Sequence, residues 1–164
     1  MLKPNAQFEK ITDITPDFLV KNNIKAIILD VDNTLIDLNA NKIDNIEDWI
    51  KKIKDANLKI CIASNSLKKD KVKKIATILE IPYIFFSVKP LKNGLKKAKE
   101  ILGEKSENIA EIGDQLFTDV LGANRMKMFS ILTTPIEEEK GFLDKLKRKI
   151  ERKVLSKNIK ININ

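Results

Sequence analysis

Five short apolar runs punctuate the chain, and each stops at a polar cluster. Ala26-Ile27-Ile28-Leu29 is short, half β-branched and free of charge, so Lys25–Leu29 predicts a fully buried parallel strand. Leu58–Ala63, Tyr83–Phe86, Asn108–Ile112 and Lys127–Leu132 read the same way. Between these runs the apolar spacing turns helical. Ile43, Ile46, Trp49, Ile50 and Ile53 predict a helix from about Asp44 to Ala56. Val72, Ile75, Ile78 and Leu79 share one face of a helix over Leu67–Glu80. Another helix, Leu91–Leu102, is closed by Gly103, and a further one crosses Thr118–Arg125. Ahead of the first strand, Thr15-Pro16-Asp17 combines an N-cap, a first-turn proline and an acid, which predicts a short helix to about Asn22. Strands alternating with helices imply an α/β fold. The expected architecture is a Rossmann-like, doubly wound parallel sheet of about five strands with right-handed crossovers. At 164 residues, the chain is expected to be a single domain, 1–164, able to bury a core without staples.

Composition narrows the chemistry. There is no histidine, which removes Ser-His and Cys-His nucleophilic machinery and histidine metal ligands. The single cysteine, Cys61, excludes an internal disulfide and lies in an apolar run, as a buried thiol does. Carboxylates are the ligands that remain, and oxygen donors suit Mg²⁺ rather than zinc. No apolar run approaches the length needed to cross a bilayer, and the N-terminus has no signal-like apolar stretch. The expectation is a cytoplasmic protein. The net charge is +8, and nearly all of it lies in residues 140–164, where nine basic residues face two acidic ones. Leu143, Leu146, Ile150 and Val154 form a stripe in this tail, with Phe142 and Leu155 beside it. Lys147, Arg148, Lys149, Arg152 and Lys153 crowd the remainder. Such a helix can dock its stripe on the sheet with its lysines solvated. It can also lie on an anionic membrane at the inner face. Docking is the simpler expectation. Ile159–Asn164 alternates like a strand, but a chain end frays. No nucleic-acid partner is expected.

The strand ends carry the functional signal. Asp30-Val31-Asp32-Asn33-Thr34 closes the first strand, at the carboxyl edge where open α/β sheets bind ligands. Ser64-Asn65-Ser66 closes the second, Ser87-Val88-Lys89-Pro90 follows the third, and Gly113-Asp114 with Asp119 follows the fourth. Taken singly, these are a turn, a helix cap, one lysine among many, a second turn and a first-turn acid. Taken in order, an acid pair, a hydroxyl, a lysine and a second acid pair share one sheet edge.

In that order the chain resembles the haloacid dehalogenase superfamily of phosphatases, whose pattern is DxD with a threonine, Ser or Thr, Lys, then GDxxxxD. Asp13-Ile14-Thr15-Pro16, Lys89-Pro90 and the run Gly113–Arg125 narrow it. They resemble the YqeG-like group of class IIIA phosphatases, related to phosphatidylglycerophosphate phosphatases. The resemblance implies a Mg²⁺-dependent phosphate monoester hydrolase. Asp30 would be the nucleophile that forms an aspartyl-phosphate, and Asp32 the general acid–base. Asp30, the carbonyl of Asp32 and Asp114 would hold Mg²⁺. Lys89 would offset the nucleophile's charge and contact phosphate, with Ser64 and the backbone around Asn65 binding the phosphate oxygens. Asp119 would orient ligands or Lys89, and Thr34 would shape the first loop. The 34 residues from Asp30 to Ser64 and the 25 from Ser64 to Lys89 leave no room for a cap domain, so an open site is expected. That suits a bulky ester such as a phospholipid head group, or a site closed by another subunit. A soluble sugar- or nucleotide-phosphate phosphatase is the alternative substrate class. A phospho-accepting or binding module without turnover is the alternative of another kind. The oligomeric state stays open.

Overall fold

A computed structural model describes residues 1–161, with side chains placed to residue 157. Its centre is a six-stranded sheet. The strands are β1 (Ala6–Phe8), β2 (Ala26–Leu29), β3 (Lys59–Ala63), β4 (Tyr83–Ile84), β5 (Ile109–Gly113) and β6 (Phe129–Thr133). All pairs are parallel, in the order β1-β6-β5-β2-β3-β4. β2 sits in the middle, with Ala26 in register with both Lys59 and Ile109. The chain winds outward from β2 in both directions, so the strand order reverses beside it, and such a switch point is where α/β sheets place ligands.

Alternation along the strands sorts the core into two faces. Ile27, Leu29, Ile60, Ile62, Ala110 and Ile112 pack under α1 (Pro16–Lys21), α2 (Ile46–Asp55) and α3 (Lys69–Leu79). Ala26, Ile28, Cys61, Ala63 and Ile109 pack under α4 (Lys92–Leu102) and α5 (Leu121–Arg125). Burial pushes the Cys61 thiol up to about 12, so it is inert packing. Trp49 ties α2 to the segment ahead of α1 by donating its indole N–H to the Ile14 carbonyl at 2.7 Å.

Three sequence expectations need correction. The sheet has six strands, because Ala6–Phe8 pairs with Ile131–Thr133; three edge residues are too few to show a period. The third expected strand ends at Ile84, because Phe86 turns to φ 49° and leads into the loop that carries Lys89. The tail does form a helix, α6 (Phe142–Ile161), but it does not dock by its apolar stripe. Arg148 and Glu151 are buried, and Val154 and Leu155 pack on Leu116, Val120 and Leu132. Phe142, Leu143, Leu146 and Ile150 face outward, the first two 81% and 76% exposed. The helix replaces the strand-like alternation over 159–161, and residues 162–164 lie outside the described part. No helix among the described residues is long and apolar enough to cross a membrane.

Between β2 and β3 the chain makes a small flap and α2. The flap is tied by bridges Asp32–Ile36 and Ile36–Lys42 and by the Asp37 carboxylate, which accepts from the amides of Asn39 and Asn41. Between β3 and β4 the only helix is α3.

Candidate active site

The strand ends converge as parallel register requires. The amide of Asp30, the first residue past β2, donates to Ile112 O on β5 at 2.9 Å. Asp30 and Asp114 therefore follow adjacent strands. Ser64 follows β3 on the other side, its amide bonded to Ile84 O at 3.0 Å. Lys89 enters from the loop beyond β4.

Lys89 is the hub. Its ammonium lies 3.0 Å from Asp30 Oδ1, 3.0 Å from Glu111 Oε1 and 2.8 Å from Asp119 Oδ1, and its side chain is fully buried. Burial alone would lower its pKa. The carboxylates of Asp119, Asp30 and Glu111 overcome that and hold it well above the ordinary lysine value. One cation does not satisfy three buried acids. Burial pushes Asp30 up to about 7 against the pull of Lys89, with Asp119 and Asp32 adding to the rise. Glu111 is pushed up to about 8, again chiefly by burial, and its Oε2 has no hydrogen-bond partner among the described residues. Asp114 is also raised, by burial and then by Asp30 and Asp119, against the pull of Arg148.

Local structure explains how the acids meet. After Gly113 the chain forms a π-turn over Leu116–Val120 before α5 begins. Such a wide turn re-aims a side chain, and here Asp119 folds back so that its Oδ2 accepts from the Gln115 amide at 3.0 Å. A Cβ on Gly113 would lie 2.2 Å from that same oxygen, so the bare glycine is what lets Asp119 return. Asp30, Asp114 and Asp119 each offer an oxygen, all within 4.8 Å of one another, and all three residues are buried. Hard oxygen donors carrying excess negative charge fit a divalent cation of the Mg²⁺ kind. Asp119 therefore belongs to the acid cluster as well as to the surroundings of Lys89.

The other expected residues take distinct places. The Asp32 carboxylate is half-exposed and pairs with Lys71 of α3, apart from the buried cluster. Thr34 Oγ1 lies 3.5 Å from Asp114 Oδ1. Ser64 is buried, and its Oγ accepts from the Ser66 amide at 3.1 Å. The Asn65 side chain serves the lysine loop. Its Oδ1 accepts from the Lys89 amide at 2.7 Å and the Ser87 hydroxyl at 2.9 Å, and its Nδ2 donates to Lys89 O at 2.9 Å. Val88, next to Lys89, is held at φ 54°, which a β-branched residue adopts only under constraint.

Sequence reasoning missed Glu111, Lys71 and Arg148. Glu111 was visible as an acid inside the apolar run Ile109–Ile112. Lys71 and Arg148 were hidden among many lysines and arginines. A cavity of about 830 Å³ lies between α6 and the β1–β6 edge, and Asp114 is the member of the acid cluster that lines it.

The fold is shared with solved phosphatases. The cobalt-bound deoxy-D-mannose-octulosonate 8-phosphate phosphatase of Haemophilus influenzae superposes with a TM-score of 0.54 at 23% identity. That match covers 68% of this chain and 69% of the other. A possible sugar phosphatase of the haloacid dehalogenase superfamily from Cytophaga hutchinsonii superposes at 0.54 with 13% identity, over 77% and 88%. These likenesses show the fold. The sequence relation goes further. The family model described as mitochondrial PGP phosphatase matches residues 1–137. The probable phosphatase YqeG of Bacillus subtilis is 36% identical over 154 residues, 93% of this chain and 89% of that protein. Fold, acid cluster and relatives together define a phosphatase of the haloacid dehalogenase superfamily. The chain belongs to the mitochondrial PGP phosphatase family, of YqeG type.

Proposed function

We propose that the chain is a Mg²⁺-dependent hydrolase of phosphate monoesters that works through an aspartyl-phosphate on Asp30. The observation that carries this reading is the buried Lys89 ammonium between Asp30, Glu111 and Asp119, with Asp114 beside them. Asp30, the first residue past the central strand, is the acid that attacks. The P–O bond to the leaving alcohol breaks as Asp30 takes the phosphoryl group. Asp32, which is half-exposed and paired with Lys71 rather than buried in the cluster, gives a proton to the departing oxygen. It then takes one from the water that cleaves the acyl phosphate. Lys89 pulls Asp30 toward its ionised form against the effect of burial and faces the phosphate as a point cation. The Ser64 hydroxyl and the backbone around Asn65 bind phosphate oxygens. Asp30, the Asp32 carbonyl and Asp114 are the groups that would hold Mg²⁺, with Asp119 beside them. Bound there, the ion would neutralise charge on the phosphoryl oxygens.

The proposed substrate is a phospholipid head-group phosphate, phosphatidylglycerophosphate in kind, met at an anionic membrane surface. Two features support it besides kinship. The two loops that carry Ser64 and Lys89 also expose Leu67, Phe85, Phe86, Val88 and Leu91. These loops adjoin, since the Phe86 amide donates to Ser66 O, and Lys69 lies over the Phe85 ring. The apolar stripe of α6 faces outward among lysines, as a membrane-surface helix does. The test is phosphate release from lipid phosphates in anionic micelles and from soluble sugar and nucleotide phosphates, with Mg²⁺ and then EDTA. Wild type is expected to prefer the lipid ester and to stop in EDTA, and folded Asp30→Asn to show no turnover. Preference for a soluble ester would refute the lipid reading. Multiple turnover by Asp30→Asn would refute the nucleophile.

A further inference from the structure

The basic tail enters the acid cluster at one residue. Arg148 of α6 is only 9% exposed. Its Nη1 donates to the main-chain O of Asp114 at 2.7 Å, and its Nη2 donates to Asp114 Oδ2. Glu151 Oε2 and Glu139 Oε1 accept from the same guanidinium, each at 3.2 Å. Glu151 Oε1 accepts from the Leu116 amide at 3.0 Å, and Lys147 reaches Gln115 Oε1. Three side chains of α6 thus hold three consecutive residues, Asp114, Gln115 and Leu116. Lys147, Arg148 and Glu151 lie beyond residue 137, where the family match ends.

Resting on the proposed cation site, we infer that Arg148 is its positioning residue. It fixes Asp114 by two atoms, so that Oδ1, on the Thr34 side, is the oxygen presented to the ion. The bond to the Asp114 main-chain O anchors the guanidinium beside the residue, and the bond to Oδ2 then opposes rotation of the carboxylate about its Cβ–Cγ bond. A guanidinium is a planar fork that serves two acceptors at once, whereas an ammonium is a point charge. The charge of Arg148 would by itself repel a cation. Glu139 and Glu151 stand against it and cancel much of that repulsion, which leaves the geometric effect. Partners that orient a ligand in this way typically change metal affinity or activity by roughly 10- to 100-fold.

The test uses the full chain and Mn²⁺ as a spin probe, with free Mn²⁺ read by electron paramagnetic resonance and helix docking read by hydrogen exchange over α6. Arg148→Met is expected to weaken Mn²⁺ binding roughly 10-fold or more. The Mg²⁺ concentration for half-maximal activity should rise in proportion, while KM for a small phosphate ester at saturating Mg²⁺ stays put. Arg148→Lys should fall between that variant and wild type. Lys147→Ala, which removes a neighbouring α6 contact, should bind Mn²⁺ as wild type does. Unchanged or tighter binding by Arg148→Met with α6 still protected would overturn the inference. If that variant releases the helix, Arg148→Lys decides, and wild-type affinity there overturns it. A wild type that binds no Mn²⁺, or an Asp114→Asn that binds it equally well, would instead sink the metal site itself.

Discussion

Lys89→Met removes the cation that Asp30, Glu111 and Asp119 share at 3.0, 3.0 and 2.8 Å. The side chain is fully buried, so water cannot take its place. Breaking a buried charge pair by deleting one partner costs about 3–5 kcal/mol, because the survivor is left uncompensated. Here three survivors remain, but protonation limits the loss. Asp30 already stands near 7 and Glu111 near 8 with the lysine present, and without it both move higher. The cost therefore grows with pH: it is smaller at pH 5, where both carboxyls hold protons in either protein, and larger at pH 8. A chain of this size loses roughly 2–4 °C of Tm per kcal/mol, so at pH 8 the expected drop is roughly 6–20 °C.

The assay is thermal unfolding in EDTA at pH 5 and pH 8, for Lys89→Met and for the double variant Lys89→Met/Glu111→Gln. The second change deletes one of the three orphaned acids, so part of the lost stability should return at pH 8, with no return of phosphatase activity. A single variant within 1 kcal/mol of wild type at pH 8 would refute the reasoning. So would a double variant less stable than the single. Either result would mean that Lys89 is not what holds the buried acids in the fold.

Two further outcomes are expected. In EDTA the wild-type Tm should fall as pH rises from about 4 to 8. Asp30 and Glu111 have folded values above their ordinary ones, so the folded state binds more protons in that window and loses ground as they leave; saturating Mg²⁺ should flatten the slope, and a slope that rises in EDTA would contradict the buried acids. Gly94→Ala would set a Cβ 2.3 Å from Ser87 O and 2.5 Å from Ser87 Cβ, an overpacking worth about 1–3 kcal/mol; because Ser87 holds Asn65 and Asn65 holds Lys89, kcat should fall well below what the melting curve accounts for, and a stability loss at unchanged kcat would uncouple that loop from the site.

The legible part of the site was the part carried by strand ends. Asp30, Ser64 and Asp114 directly follow strands, and parallel pairing of β2 with β3 and β5 brings those ends together, whereas Lys89 is carried in by the loop beyond β4. The unread part depends on directions that a linear pattern does not encode. Asp32 and Asp30 are two residues apart, which in extended chain would aim both the same way. The chain turns after β2, and Asp32 instead meets Lys71. Asp119 reads as an ordinary first-turn acid until the π-turn at Leu116–Val120 swings it back over Gly113. Asn65 reads as a helix cap, yet its side chain braces the loop of Lys89. Among the elements, the three-residue β1 left no period to find, whereas the long amphipathic runs of α2, α3 and α4 did.

The orientation of α6 joins the two proposals made for it. In water, a helix with Leu143, Leu146 and Ile150 on one face would gain most by burying that face. Burying Arg148 and Glu151 instead desolvates two charged groups, which is favourable only where each finds close partners. They find them at Asp114 and at the Leu116 amide. The inward face is therefore held by the acid-cluster edge rather than by hydrophobic burial, with Val154 and Leu155 adding a modest apolar contact. Coupling of this kind is reciprocal. Whatever α6 contributes to the placing of Asp114, Asp114 contributes to the docking of α6. The outward stripe is left free for a second apolar surface, and the lysines on its flanks favour an anionic one. A lipid head group reaching this edge would meet the apolar loops of Ser64 and Lys89 and a helix whose inner face is already committed to the acid cluster.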